Sequence, residues 1–288
     1  MPTDKRQRKR DGHQARQVAN AAARRRKQTQ RTRAIAGAFL ALVLVAGLAV
    51  VVSGGGSNSD PSTVSAGNST TSTASAAAAT TAPGSTKKPV DLPPAAAGAS
   101  IKGDTPCPPA DGSAPRTTTF DKPPPTCINP AKTYSAEMQT SKGLLVISLD
   151  AKGAPKTVNN FVVLARYHFF DGIAFHRIIP GFVIQGGDPL QTGLGGPGYK
   201  FEDELPKAGA YKVGSLAMAN SGANTNGSQF FIVTGDAGAS LPPSYSLFGQ
   251  VTQGLDVVSA IDGVGIPGTQ DGKPSEVVTI KSVTIKET

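Results

Sequence analysis

The rhythm of hydrophobic and polar positions changes several times along this chain. Residues 34–52 are nineteen in a row with neither a charge nor a polar side chain. As a helix they would extend about 28 Å, close to the roughly 30 Å hydrocarbon core of a bilayer. Residues 53–130 show no period at all. They are Ser, Thr, Ala, Gly and Pro with almost no aromatic side chains, a composition that buries too little surface to offset its ordering entropy. The spacing therefore predicts a disordered linker over 53–130. From residue 134 a new pattern begins. Residues 134–140 alternate, Ser141-Lys142-Gly143 marks a turn, and 144–149 is a short apolar run, which together predict a β-hairpin. Pro155 stands before 157–165, where Val158, Phe161, Val162 and Ala165 recur at helical spacing. Short apolar runs follow at 173–179, 182–184, 215–219, 230–233, 247–251 and 277–283, separated by Gly and Pro, with a second helical pattern at 255–261. Many short strands between such turns predict a closed or nearly closed antiparallel barrel within 131–288.

Charge sharpens this division. Residues 1–33 hold twelve Lys and Arg against only Asp4 and Asp11, so the net +9 of the whole chain belongs to this tail and the remainder is close to neutral. A nucleic-acid reading of the high pI is thereby removed from the folded part. Arg31 and Arg33 abut the apolar stretch, and no further Lys or Arg occurs until Lys87. The positive-inside bias then places the N-terminus in the cytoplasm and everything after residue 53 outside. A cleaved signal peptide competes with an anchor, but the basic leader and the apolar stretch are both long for one. The expected organisation is a basic cytoplasmic tail (1–33), a single transmembrane signal anchor (34–52) in the cell membrane, a linker (53–130) and an extracytoplasmic catalytic domain (131–288). Cys107 and Cys127 lie in the linker, 20 residues apart. Outside the membrane an intramolecular disulfide is the favoured state, with free thiols or an intermolecular bridge as alternatives. The three histidines (His13, His168 and His176) are too scattered to suggest a zinc site.

Three segments carry the candidate chemistry. They are Phe175-His176-Arg177 through Gly187-Asp188; Met218-Ala219-Asn220 with Asn224-Thr225-Asn226-Gly227-Ser228-Gln229-Phe230-Phe231-Ile232; and residues 241–249. One Arg, several amides and hydroxyls stand among aromatic and aliphatic side chains. Neither an acid–base carboxylate pair nor a nucleophile with a partnered base is present in them. Such a set suits binding a neutral peptide and stabilising a rotated amide better than hydrolysis.

The strings FHRIIPGFVIQGGD, FEDE, MAN and NTNGSQFFI, in this order and spacing, resemble the core of the cyclophilin family. The resemblance covers about residues 133–288. It implies an eight-stranded antiparallel β-barrel capped by two helices, with peptidyl-prolyl cis–trans isomerase activity that needs neither cofactor nor metal. Arg177 matches the family's catalytic arginine, and Phe182, Gln185, Asn220 and Phe231 match the residues around it. Val183, Ala219, Gln229, Leu241 and Tyr245 match substrate-binding positions. The implied partners are Pro-containing segments of client proteins whose folding the enzyme would assist, and the membrane through 34–52. A non-catalytic Pro-peptide-binding module is the alternative. Ser240 stands where many members carry Trp, and Tyr245 where many carry His, so cyclosporin-type inhibitors are expected to bind weakly.

Overall fold

The computed structural model describes residues 86–288 apart from Gln270. The basic tail, the apolar stretch 34–52 and the first part of the expected linker lie outside the described residues. Among the described residues no helix is long and apolar enough to cross a membrane.

The main sheet contains β3 (Tyr134–Thr140), β4 (Gly143–Leu149), β5 (Arg177–Ile179), β6 (Val183–Gly186), β7 (Ser215–Met218), β8 (Phe230–Val233), β9 (Leu247–Gln253) and β10 (Ile280–Glu287). All its pairings are antiparallel, in the order β10-β3-β4-β9-β7-β8-β6-β5. The two-residue period seen in the sequence sorts the faces. Along β3, Tyr134, Ala136, Met138 and Thr140 are buried while their neighbours are half-exposed. The sheet curls around a core in which Phe161 lies 5.0 Å from Phe170, 5.8 Å from Phe230 and 5.4 Å from Phe248, ring centre to ring centre.

Closure is less complete than the sequence suggests. Strands β5 and β10 end the sheet and do not form a ladder together. The seam is joined by a bridge between Ala174 and Thr279 and by the hydrogen bonds Phe175 N to Val278 O (2.9 Å) and Ile280 N to Ile173 O (2.8 Å). The residues that meet the start of β10 precede β5, whose own edge faces the segment before β10, with Ile178 N bonded to Gly272 O (2.7 Å). The result is a curled eight-stranded antiparallel sheet with a stitched seam.

Three helices are present among the described residues, one more than expected: α1 (Pro155–Arg166), the single turn α2 (Asp236–Ala239) and α3 (Leu255–Asp262). Ala154 at the start of α1 offers no side-chain cap. The Glu204 carboxylate caps it instead, accepting from Lys156 N (3.0 Å), Thr157 N (2.8 Å) and the Thr157 hydroxyl (2.8 Å). An anion at the helix N-terminus satisfies orphan N–H groups and complements the dipole.

The linker expectation fails over residues 86–130, which are part of the fold. The chain runs across the surface, with Val90 N bonded to Pro274 O (3.0 Å) and Ala95 N to Pro189 O (3.1 Å). It then forms β1 (Ala99–Ile101), paired parallel with β2 (Thr117–Phe120). Phe120 is 1% exposed and packs edge-on against Tyr167, while Phe120 N donates to Pro197 O (2.8 Å). Gly198 makes this approach possible, since a Cβ there would overlap the Phe120 carbonyl. Cys107 and Cys127 are joined in a disulfide with Cα atoms 5.4 Å apart. Beside it the Asn159 carboxamide accepts from Cys127 N (2.7 Å) and Ile128 N (3.2 Å) and donates to Pro125 O (2.9 Å). A compositional average conceals this arrangement. A few apolar residues suffice when an existing core receives them and a crosslink removes chain entropy.

Candidate active site

The outer face of the curled sheet carries a second, smaller apolar cluster. Because strand neighbours alternate, Ile184, Phe230, Ile232, Leu216 and Met218 join the main core, while Val183, Phe231, Val233 and Ala217 point outward. The register aligns one row of outward residues across five strands. Arg177 on β5 pairs with Gln185 on β6, Gln185 with Phe231 on β8, Phe231 with Ala217 on β7, and Ala217 with Leu247 on β9. Directly opposed residues share a face, so a cation, an amide and an aromatic ring stand side by side.

Two loops raise walls around this row. The turn Ile179–Phe182 closes with Phe182 N bonded to Ile179 O (3.0 Å). Pro180 leads it, and Gly181 supplies a φ of 71°, which favours glycine. That turn brings the Phe182 ring centre to 6.0 Å from the Arg177 guanidinium carbon. On the other side, residues 241–245 fold over Phe231, with the Tyr245 ring 5.3 Å from it and nearly perpendicular at 86°. Asn220 ties the loop after β7 to this wall by donating to Ser244 O (2.9 Å). The recess so formed has a volume of about 280 Å³ and is lined by Arg177, Phe182, Val183, Gln185, Ala219, Asn220, Phe231, Leu241 and Tyr245. Nine of the ten site residues expected from the sequence thus meet in one place.

Gln229 is the tenth, and it sits behind the recess. Its Oε1 accepts from Gln185 Nε2 (3.0 Å), and its own Nε2 donates to Gly195 O (2.8 Å). It lines an adjoining groove of about 720 Å³, bounded by the glycine-rich loop 193–198 and sharing Gln185, Ala219 and Asn220 with the recess. Tyr211, Ala217, Val233 and Leu247 also belong to the outer cluster and were not anticipated. Ala217 and Val233 were legible from strand alternation. Tyr211 precedes β7 in a segment without periodicity and gave no signal.

Arg177 is half-buried, and no carboxylate pairs with it among the described residues. Its one side-chain hydrogen bond there is long, 3.5 Å to Gln185 Oε1. Burial lowers its pKa, with nearby Tyr245 acting in the opposite direction, but a guanidinium begins so high that it stays cationic. His176, its neighbour in sequence, is buried with neither ring nitrogen hydrogen-bonded. Ser240, exposed at the end of α2, turns its hydroxyl back to Asp236 O (2.9 Å) and adds nothing to the wall. Among the described residues no group of acidic, His or Cys side chains could hold a metal ion. The arrangement sets a cation without a carboxylate partner beside a recess lined by aromatic and aliphatic side chains and two amides, Gln185 and Asn220.

Known proteins match this domain. The family model "Cyclophilin type peptidyl-prolyl cis-trans isomerase/CLD" matches residues 135–285. Peptidyl-prolyl cis-trans isomerase A of Mycobacterium tuberculosis is 43% identical over 175 residues, covering 54% of this chain and 94% of that protein. Human peptidyl-prolyl cis-trans isomerase-like 1 is 43% identical over 163 residues, covering 55% of this chain and 95% of that protein. A crystal structure of a Cryptosporidium parvum cyclophilin type peptidyl-prolyl cis-trans isomerase is 32% identical, covers 54% of this chain and 98% of its own, and has a TM-score of 0.49. Since the matched model spans more than half of the chain and its near-complete relatives carry one activity, this chain belongs to the cyclophilin-type peptidyl-prolyl cis–trans isomerases.

Proposed function

We propose that Arg177 is the catalytic group and acts by stabilising the twisted amide. Rotation about an X–Pro bond breaks amide resonance across a barrier of about 18–20 kcal/mol. In the twisted state the prolyl nitrogen becomes pyramidal and gains a lone pair, which a guanidinium can bond while the planar ground states offer it little. Only such differential binding speeds the step. Phe182, Val183, Phe231, Leu241 and Tyr245 hold the proline ring in this reading. Gln185 orients Arg177, Asn220 bonds the peptide backbone, and Ala219 leaves that backbone room. Gln229 acts from behind, through Gln185. The observation that carries the proposal is a half-buried Arg177 with no carboxylate partner among the described residues, beside an apolar recess.

Arg177→Ala is expected to lower the isomerisation rate of a Pro-peptide by about 10²–10³-fold, the cost of losing one preorganised donor to developing charge. A variant within twofold of wild type would overturn the assignment. Tight peptide binding by a wild-type chain that gives no rate enhancement would favour the binding module instead.

The domain's clients, in the same proposal, are Pro-containing segments of proteins folding outside the cytoplasmic membrane, reached from an anchor at residues 34–52. Support comes from the charge-free stretch, the twelve cationic residues before it and a disulfide beyond it. Release of the full chain from membranes by carbonate wash, or protease resistance of the domain in intact cells, would refute this placement.

A further inference from the structure

The Tyr211 phenol makes two hydrogen bonds, both to the main chain of a single residue in the recess wall. Its Oη donates to Tyr245 O (2.7 Å) and accepts from Tyr245 N–H (3.1 Å). The residue is 4% exposed and belongs to the outer cluster with Val183, Ala217, Phe231 and Val233. Tyr211 is therefore braced against the floor of the recess and grips its far wall. The gripped residue is the one whose ring stands edge-on to Phe231. Over Phe231 the segment 241–245 is tied at its start, where Leu241 N donates to Gly238 O (3.3 Å), and again at its end. Asn220 holds Ser244 from the outside, and Tyr211 holds Tyr245 from beneath. Burial raises the pKa of the Tyr211 phenol, although the N–H it accepts pulls the other way, so the hydroxyl keeps its proton and both bonds at neutral pH.

We propose that Tyr211 is a positioning residue for isomerisation, one that sets the width of the proline recess by fixing the Tyr245 main chain. It touches no substrate. The inference rests on the isomerase reading of the recess and adds to it a determinant of substrate affinity. The proline ring occupies the recess in the planar and twisted states alike, so a loosened wall weakens both equally. Such a loss appears in KM and not in kcat.

The test uses the full chain and a Pro-peptide substrate at saturating and sub-saturating concentrations. Tyr211→Phe keeps the ring and removes only the hydroxyl. It is expected to raise KM by about five- to tenfold, the range of losing one or two ordinary hydrogen bonds, with kcat within about twofold of wild type. Tyr167→Phe deletes one phenolic hydrogen bond, to Pro106 O, at a residue of the main core that does not line the recess, and is expected to leave KM unchanged. An unchanged KM in Tyr211→Phe, or a loss confined to kcat, would overturn the inference. A wild-type chain without rate enhancement would instead sink the isomerase reading. Should Tyr211→Phe not fold, wild-type NMR decides. The Tyr211 hydroxyl proton should exchange slowly and show contacts to the Tyr245 amide, and its absence overturns the proposal.

Discussion

Replacing both Cys107 and Cys127 with Ala tests whether residues 86–130 are part of the folding unit. The crosslink closes a loop with a sequence separation of 20. In the chain-entropy model, removing that constraint from the unfolded chain costs about 3 kcal/mol of stability. The loop contains Phe120, which is packed against Tyr167, and its end is held by Asn159 on α1. Global unfolding must therefore release the loop, and the entropy term falls on the whole domain. With a urea m-value of about 2–3 kcal/mol/M for a domain of this size, the midpoint should drop by about 1–1.5 M. The chain has no Trp, so circular dichroism and Tyr fluorescence are the probes. Oxidised wild type, wild type in reductant and the double variant should be compared, and reductant should have no further effect on the variant. Coincident midpoints for all three would refute the reasoning. The loop would then open independently of the barrel, and the extension would be an appendage.

Two further outcomes follow from the site. Burial holds the His176 pKa below its ordinary 6.5, Asp188 opposes this and Arg177 reinforces it. A depressed folded pKa means that the unfolded chain takes up the proton first, so the His176 contribution is complete above 6.5 and is lost as pH falls toward the folded value. His176→Phe should therefore flatten the fall of the urea midpoint between about pH 7 and pH 5, and an equal slope in both proteins would exclude this assignment. Cyclosporin-type inhibitors are expected to bind weakly, because Ser240 turns away from the recess, and nanomolar inhibition in a competition assay would contradict that.

Much of the site was readable before the fold. The expected residues cluster because the strand period is two and the antiparallel register is fixed by the buried face. Once Phe230 and Ile232 point inward, Phe231 must point outward, and the register then places it beside Gln185 and, through it, Arg177. Gln229 shows the limit of this reasoning. A loop residue's direction depends on what it bonds, here Gln185 and Gly195. The helix α2 was missed because a single turn has no period to detect.

From sequence alone came the element types, the apolar and polar faces, the separation of a basic tail and an apolar stretch from a neutral folded part, and the motif that names the family. These are local properties, set by side-chain spacing and composition within a few residues. Tertiary structure decided the rest. The segment 86–130 is ordered because Phe120 and Ile128 find a core built by residues far along the chain. Glu204 caps α1 from 47 residues away, and Tyr211 reaches Tyr245 across 34. Contacts at such separations depend on where the whole sheet curls, so no short window of the sequence contains them.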